Sequence, residues 1–168
     1  MPPSWFYTGA MTSIAASHTV RGRMFSRWVR FLARRYGTNE AGTDVFALTS
    51  SDSEQIALNE IAANNKWRLR LTRDPRHAIE QLREHASGVI LCDRDLVGVD
   101  WRKQMGDLRR SAPRSCVILL SSVNDQYLWD EVIRNGGYDV LSKPLQETQV
   151  VLAVTGAWLY WKHYRTMK

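Results

Sequence analysis

The sequence predicts an α/β protein in which a parallel sheet is covered by helices on both faces. Along most of the chain, short apolar runs alternate with helical patterns of roughly 10 to 15 residues. One of the apolar runs, residues 88–92, ends abruptly in acid at Asp93. This pattern indicates a buried strand that delivers a carboxylate to the edge of the sheet, where open α/β proteins bind their ligands.

Five strands and five helices follow from the pattern. The predicted strands are residues 45–48, 67–71, 89–92, 116–120 and 138–141. Three helices have clear start signals: Ser51 and Glu54 have the spacing of a capping box, Asp74 precedes Pro75, and Asp100 is a predicted N-cap. The fourth helix should end at the Asn-Gly-Gly of residues 135–137, and the fifth should run from 145 to about 164.

Length and charge divide the chain into an extension, residues 1–43, and a domain, residues 44–168. Of the 23 basic residues, six arginines lie in residues 1–39, which hold no acid, and the remaining 17 balance 17 acidic residues. Residues 24–35 predict a short basic amphipathic helix with an apolar stripe that includes Phe25, Trp28 and Leu32. This helix either packs on the domain or contacts a partner or an anionic membrane surface. The net charge of +6 therefore says nothing about the chemistry of the domain.

Cysteine usage and hydropathy indicate a cytoplasmic protein with no membrane span. Cys92 and Cys116 each lie in or beside an apolar run, as small buried side chains do, which favours neither a disulfide nor a metal pair. The uncharged stretch of residues 148–161 is shorter than the roughly 20 residues that cross a bilayer.

Three chemically distinct side chains follow three of the predicted strands. Asp93 follows the third strand, Ser121 the fourth and Lys143 the fifth, and Thr49 and Ser50 end the first strand beside them. A carboxylate can accept a phosphoryl group, while a hydroxyl and a fixed cation can hold the resulting oxygens.

On these residues, positions 44 to about 160 resemble the receiver domain of bacterial response regulators. Residues 93–100 are similar to the phosphoacceptor loop of that family, residues 117–122 to its fourth strand, and residues 136–144 to its fifth strand with Lys143 and Pro144. The resemblance implies a flavodoxin-like, doubly wound sheet of order 2-1-3-4-5. It also implies that Asp93 is the phosphoacceptor and that Ser121 and Lys143 stabilise the acyl phosphate.

The same resemblance implies the partners and the metal. A histidine kinase or phosphotransfer protein would supply the phosphoryl group, and the face of the fourth helix, fifth strand and fifth helix would form a homodimer or hold a partner. Mg²⁺ would bind beside Asp93, but Thr49 and Ser50 stand where the family has two acids, so weak binding is expected. Asp95 and Asp52 are the candidate substitutes, although Asp52 also suits a helix cap. Val140 stands where the family has a switching aromatic ring.

Two functions remain open from the sequence. The first is a response-regulator receiver in a phosphorelay, with weakened Mg²⁺-dependent phosphorylation of Asp93. The second is a phosphorylation-independent pseudo-receiver that acts as a protein-interaction module. An enzyme is not expected, because no glycine-rich loop follows the first strand and no pair of nucleophile and base is evident. No DNA-binding domain is expected after the fifth helix.

The fifth helix carries more apolar side chains than one sheet face needs. One predicted stripe docks the helix on the sheet, and a second apolar face remains for a partner. The predicted stripe is Val151, Val154, Trp158 and Trp161, and the second face is Val150, Leu159 and Tyr160. The N-terminal helix is the competing cover for that second face.

Overall fold

A five-stranded parallel sheet forms the centre of this computed structural model, which describes residues 42–166. The strands are β1 (Asp44–Leu48), β2 (Arg68–Thr72), β3 (Val89–Asp93), β4 (Cys116–Ser121) and β5 (Asp139–Ser142). Their order across the sheet is β2-β1-β3-β4-β5, which confirms the predicted topology. Each strand boundary differs from the sequence prediction by no more than one residue. β3 and β4 are buried at every position and form continuous apolar runs, whereas β2 alternates arginine with leucine.

Five helices connect and flank these strands. They are α1 (Asp52–Asn64), α2 (Pro75–Glu84), α3 (Trp101–Ser111), α4 (Gln126–Arg134) and α5 (Glu147–Thr166). The predicted N-caps Asp74 and Asp100 are confirmed, since the Asp74 carboxylate accepts the Arg76 N–H at 2.8 Å and the Asp100 carboxylate accepts the Arg102 N–H at 3.0 Å. After α4 the chain turns at Gly136, whose φ of 79° lies in the left-handed region that favours glycine.

Helices cover both faces of the sheet. Alternate residues of a strand point to opposite faces, so Phe46 packs in the core on the side of α2, α3 and α4, and Ala47 packs on the side of α1 and α5. Leu82, Met105 and Val132 represent the three helices of the first layer, all at most 1% exposed. The predicted doubly wound sheet is therefore confirmed.

The buried face of α5 differs from the predicted stripe. Its fully buried residues are Val150, Ala153, Val154 and Ala157, so the prediction that Val150 lies on a second, unburied face was wrong. Trp158 and Trp161 stack on each other with ring centroids 4.7 Å apart and flank this face. Tyr160 is 41% exposed and its ring contacts that of Tyr138.

The predictions about the N-terminal extension, the cysteines and membrane spans have different outcomes. The N-terminal helix and the greater part of the extension, residues 1–41, lie outside the described residues. Cys92 and Cys116 are free and buried, as predicted, and burial raises the pKa of each thiol to about 12. Within residues 42–166, no helix has the length and apolar content needed to cross a membrane.

Candidate functional site

The carboxyl ends of β3, β4 and β5 bring the predicted site residues to one edge of the sheet. In the strand register Asp93 pairs with Leu120, the residue before Ser121, and Ser121 pairs with Ser142, the residue before Lys143. The backbone N–H of Lys143 donates to the Ser121 carbonyl at 3.0 Å. Neighbouring strands lie about 4.8 Å apart, so this register fixes the three side chains beside one another.

The ammonium of Lys143 is the centre of the site. Its Nζ lies 2.5 Å from Asp93 Oδ1, 2.7 Å from Glu54 Oε1 and 3.2 Å from Asp95 Oδ2. An ammonium has three N–H donors, and here three carboxylates are within reach of them. Burial alone lowers the pKa of Lys143, but hydrogen bonds and ion pairs with Asp93 and Glu54 outweigh it, and the pKa is raised above its ordinary value.

The Asp93 carboxylate is held mainly through one of its oxygens, Oδ1. Besides Lys143, Oδ1 accepts the backbone N–H of Asp95 at 2.8 Å. Oδ2 lies 3.2 Å from the hydroxyl of Thr49. Only 3% of Asp93 is exposed, so the carboxylate is paired and hydrogen-bonded as a buried charge must be.

Thr49 and Glu54 form the second part of the site. Thr49 is fully buried at the end of β1, and its hydroxyl donates to Glu54 Oε2 at 2.6 Å, a shorter contact than its 3.2 Å contact with Asp93. Glu54 is 8% exposed although it lies in the first turn of α1. Its two oxygens therefore face Thr49 and Lys143, and it contributes a carboxylate to the site.

Sequence reasoning missed Glu54 because the capping box assigned it another partner. In that motif the glutamate accepts the N–H of the cap residue, but here the Ser51 N–H donates to the Thr49 hydroxyl at 3.2 Å. The Ser51 side chain still caps α1 by accepting the Glu54 N–H. Glu54 is thus released to reach Lys143. The sequence did offer one signal. Glu54 is an acid in the first turn of α1, a few residues after Thr49 and Ser50, where two acids were expected.

Asp95 is tied to two cations and to the loop after β4. Its Oδ2 accepts the Ser122 N–H at 3.1 Å, and its Oδ1 lies 3.3 Å from the Arg94 guanidinium. Partial burial acts to raise the pKa of Asp95, but the hydrogen bonds from Ser122 and the ion pair with Lys143 outweigh it, and the pKa lies below its ordinary value. Asp95 is therefore a charged member of the site.

Two other predicted residues do not join this group. Asp52, expected as a weak metal ligand or a cap, is exposed and forms an ion pair with Arg73, and Ser51 rather than Asp52 is the cap. Ser50 is exposed, and its backbone carbonyl accepts a bond from the same arginine. The loop after β1 thus sends only Thr49 towards Asp93.

Ser121 and Val140 are both buried. Ser121 is fully buried at the end of β4, and its hydroxyl accepts the Val123 N–H at 3.1 Å. Val140 is 6% exposed and packs in the cluster beneath α4. With a valine there, the site has no aromatic ring at that position to turn towards or away from Ser121.

These residues do not fit the Mg²⁺ ion that the resemblance implies. Mg²⁺ requires near-octahedral oxygen ligands at about 2.0–2.1 Å. The oxygens of Glu54, Asp93 and Asp95 that converge on one point already bind Lys143. In the part of the chain that the structure describes, no cluster of His, Cys, Asp and Glu is arranged to hold a metal.

Comparisons with known proteins agree with the fold. The family model of the response regulator receiver domain matches residues 51–155. The comparison with curated proteins gives no match.

Among solved structures, the signal receiver domain of an HD domain-containing protein from Pseudomonas fluorescens is 21% identical, with a TM-score of 0.66 over 73% of this chain and 91% of that one. NtrX from Brucella abortus in complex with ATP is 19% identical, with a TM-score of 0.68 over 74% of this chain. The match spans only 28% of the NtrX chain. The beryllofluoride-activated NtrC4 receiver domain dimer is 19% identical, with a TM-score of 0.65 over 71% and 98% of the two chains.

Proposed function

Because this chain belongs to the response regulator receiver domain family, we propose that it is a pseudo-receiver, a signalling module that binds other proteins without Mg²⁺-dependent phosphorylation. Its site keeps the residues that hold a phosphoryl group in the family but lacks the two acids that follow β1. A receiver of this kind passes a signal through its surface. Its role is to interact with other proteins, and it catalyses no reaction on a small substrate.

The observation that carries this proposal is the state of Asp93. A phosphoacceptor must present an accessible carboxylate oxygen to an anionic donor. Asp93 is 3% exposed, its Oδ1 binds Lys143 and the Asp95 backbone N–H, and its Oδ2 lies 3.2 Å from the Thr49 hydroxyl. An anionic donor would therefore have to reach a nearly buried carboxylate that already pairs with Lys143, and charge-assisted bonds of this kind are the strong ones in proteins.

Phosphorylation of Asp93 is the second candidate function. It is favoured by the presence of Asp93, Ser121 and Lys143 at one sheet edge, in the order and spacing that the family uses. On this alternative, a histidine kinase or phosphotransfer protein displaces Asp93 from its bonds, and phosphorylation proceeds slowly. The two functions differ in whether the signal depends on this one modification.

Labelling with acetyl phosphate in the presence of Mg²⁺ tests the proposal, with intact-protein mass spectrometry as the readout. We expect wild-type protein to gain no phosphoryl group, because an anionic donor meets an anionic site without a metal to offset the repulsion. Replacing Thr49→Asp together with Ser50→Asp restores the acids and should increase labelling.

The control for this experiment is Asp93→Asn in the background of those two acids, which should abolish the gained label. Rapid labelling of the wild type at Asp93 would contradict the proposal and favour the phosphorelay receiver. The same assay with a histidine kinase or phosphotransfer protein as the donor tests the partner class directly.

A further inference from the structure

We infer that Lys143 serves as an internal cation in the place of the divalent metal, and that Glu54 is the residue that anchors it there. This inference rests on the proposed function, because it states how the site maintains its charge balance without a metal. The sequence predicted that Lys143 stabilises an acyl phosphate and that Glu54 belongs to a capping box. Lys143 would neutralise carboxylates in the resting protein, and Glu54 would act as a positioning residue.

The donors of Lys143 match the acceptors around it in number. The Lys143 ammonium has three N–H groups, and its three carboxylate contacts are 2.5, 2.7 and 3.2 Å long. The carboxylates come from three separate segments: Glu54 from α1, Asp93 from β3 and Asp95 from the loop that follows it. One cation therefore joins α1, β3 and the loop that follows β3.

A hydrogen bond from Thr49 holds Glu54 in position. Its Oε2 accepts the hydroxyl of Thr49, which leaves Oε1 for Lys143. Thr49 has a buried side chain that can donate but carries no charge. An aspartate at position 49 would repel Glu54, whereas the threonine orients it. Thr49 therefore lacks the charge of a metal ligand and also positions Glu54, the residue that anchors Lys143.

The charges of the group nearly balance when Lys143 is in place. Asp93, Glu54 and Asp95 carry three negative charges, and Lys143 with Arg94 supplies two positive charges, which leaves a formal charge of −1. Without Lys143, two largely buried carboxylates, those of Glu54 and Asp93, would have no cation beside them among the ion pairs of the described residues. Such a group would then attract a divalent ion.

The test is a Mg²⁺ titration of the full-length protein, wild type against Lys143→Met, followed by thermal unfolding. Methionine fills the space of the lysine stem without its charge. We expect no change in the wild-type Tm at millimolar Mg²⁺. We expect Lys143→Met to have a lower Tm without metal and to recover on adding Mg²⁺, with an affinity at least about tenfold higher than that of the wild type.

Two further variants make the titration specific. Adding Glu54→Gln to Lys143→Met should remove the gained Mg²⁺ affinity, because one of the three carboxylates is lost. Lys103→Ala, which removes an exposed lysine on α3, should behave as the wild type. A folded Lys143→Met protein with no gain in Mg²⁺ affinity would overturn the inference.

A second measurement on the wild type needs no variant to fold. Nuclear magnetic resonance of the Lys143 ammonium nitrogen should give a signal that millimolar Mg²⁺ leaves unchanged, and a shift at sub-millimolar Mg²⁺ would overturn the inference. The two proposals fail separately. Labelling of a wild-type protein that binds no Mg²⁺ would overturn the proposed function alone, whereas Mg²⁺ binding without labelling would overturn only the internal cation.

Discussion

Thr49 is an uncharged residue that contacts several groups of the site. Its hydroxyl contacts the carboxylates of both Glu54 and Asp93 and also accepts the Ser51 N–H. The sequence presents it as a missing acid, and that description is accurate for its charge. That description omits the hydrogen bonds of the hydroxyl. The Thr49 hydroxyl takes the Ser51 N–H that Glu54 would accept in a capping box, and it binds Glu54 within the site.

Thr49→Val should destabilise the protein by about 1–3 kcal/mol, because the nearly isosteric valine leaves the Glu54 carboxylate without its shortest hydrogen bond. Urea unfolding of the variant and the wild type measures the difference. Ser50→Ala is the matched control, since Ser50 is exposed and its change should stay within about 0.5 kcal/mol. Equal stability of Thr49→Val and wild type would show that the hydroxyl does not hold Glu54.

The contrast between strands and helices explains what the sequence could predict. β3 and β4 were predicted to within one residue because every position in them is buried, so no choice of face was needed. In α5 apolar residues occur on several sides of the helix, and their spacing alone does not select the face. In the structure Val150 and Ala157 are buried against the sheet, and each lies one position before a residue of the predicted stripe. The contacts that bury them are not visible in the sequence.

Close packing between α5 and the start of β3 gives a prediction at this scale. A Cβ on Gly88 would lie 2.7 Å from Trp158 and 2.9 Å from Trp161. These rings stack on each other, so neither can yield without moving α5. We expect Gly88→Ala to lower the free energy of unfolding by about 1–3 kcal/mol in urea unfolding.

Gly106→Ala is the matched control for this substitution. Gly106 lies inside α3, and its nearest neighbour to an added Cβ is the Arg110 side chain at 3.6 Å, an ordinary contact. There the alanine should stabilise the protein by about 0.5–1 kcal/mol, because glycine is unfavourable in a helix interior. If both substitutions change stability in the same direction, the described packing of α5 is wrong.

At the scale of the whole molecule, the topology places the site and the proposed interaction face close together. β5 lies at the edge of the sheet, carries Lys143 directly after its last residue and runs beside α4 and α5. Lys143 therefore lies one residue beyond the strand that belongs to the face of α4, β5 and α5. Lys143 and Asp93 were predictable because strand order brings them together, but Glu54 depended on a local competition between hydrogen bonds.

A homodimer through the face of α4, β5 and α5 remains a prediction for the full-length protein. Tyr127 on α4 is 70% exposed, although tyrosine is a residue that interfaces commonly bury. We expect Tyr127→Glu to reduce the average mass in light scattering at high protein concentration, with no loss of Tm. Ile56→Glu on α1, where the isoleucine is 60% exposed, is the control and should leave the mass unchanged. Equal masses for the two variants would place the interface elsewhere.

The central claim is that a lysine takes the place of a metal in this receiver, and a high-resolution crystal structure grown in millimolar Mg²⁺ tests it most directly. The account predicts that the Lys143 Nζ lies within hydrogen-bond distance of Glu54, Asp93 and Asp95, with no ion bound to these carboxylates. A Mg²⁺ ion about 2.1 Å from an Asp93 oxygen, with Lys143 displaced from Glu54, would contradict it.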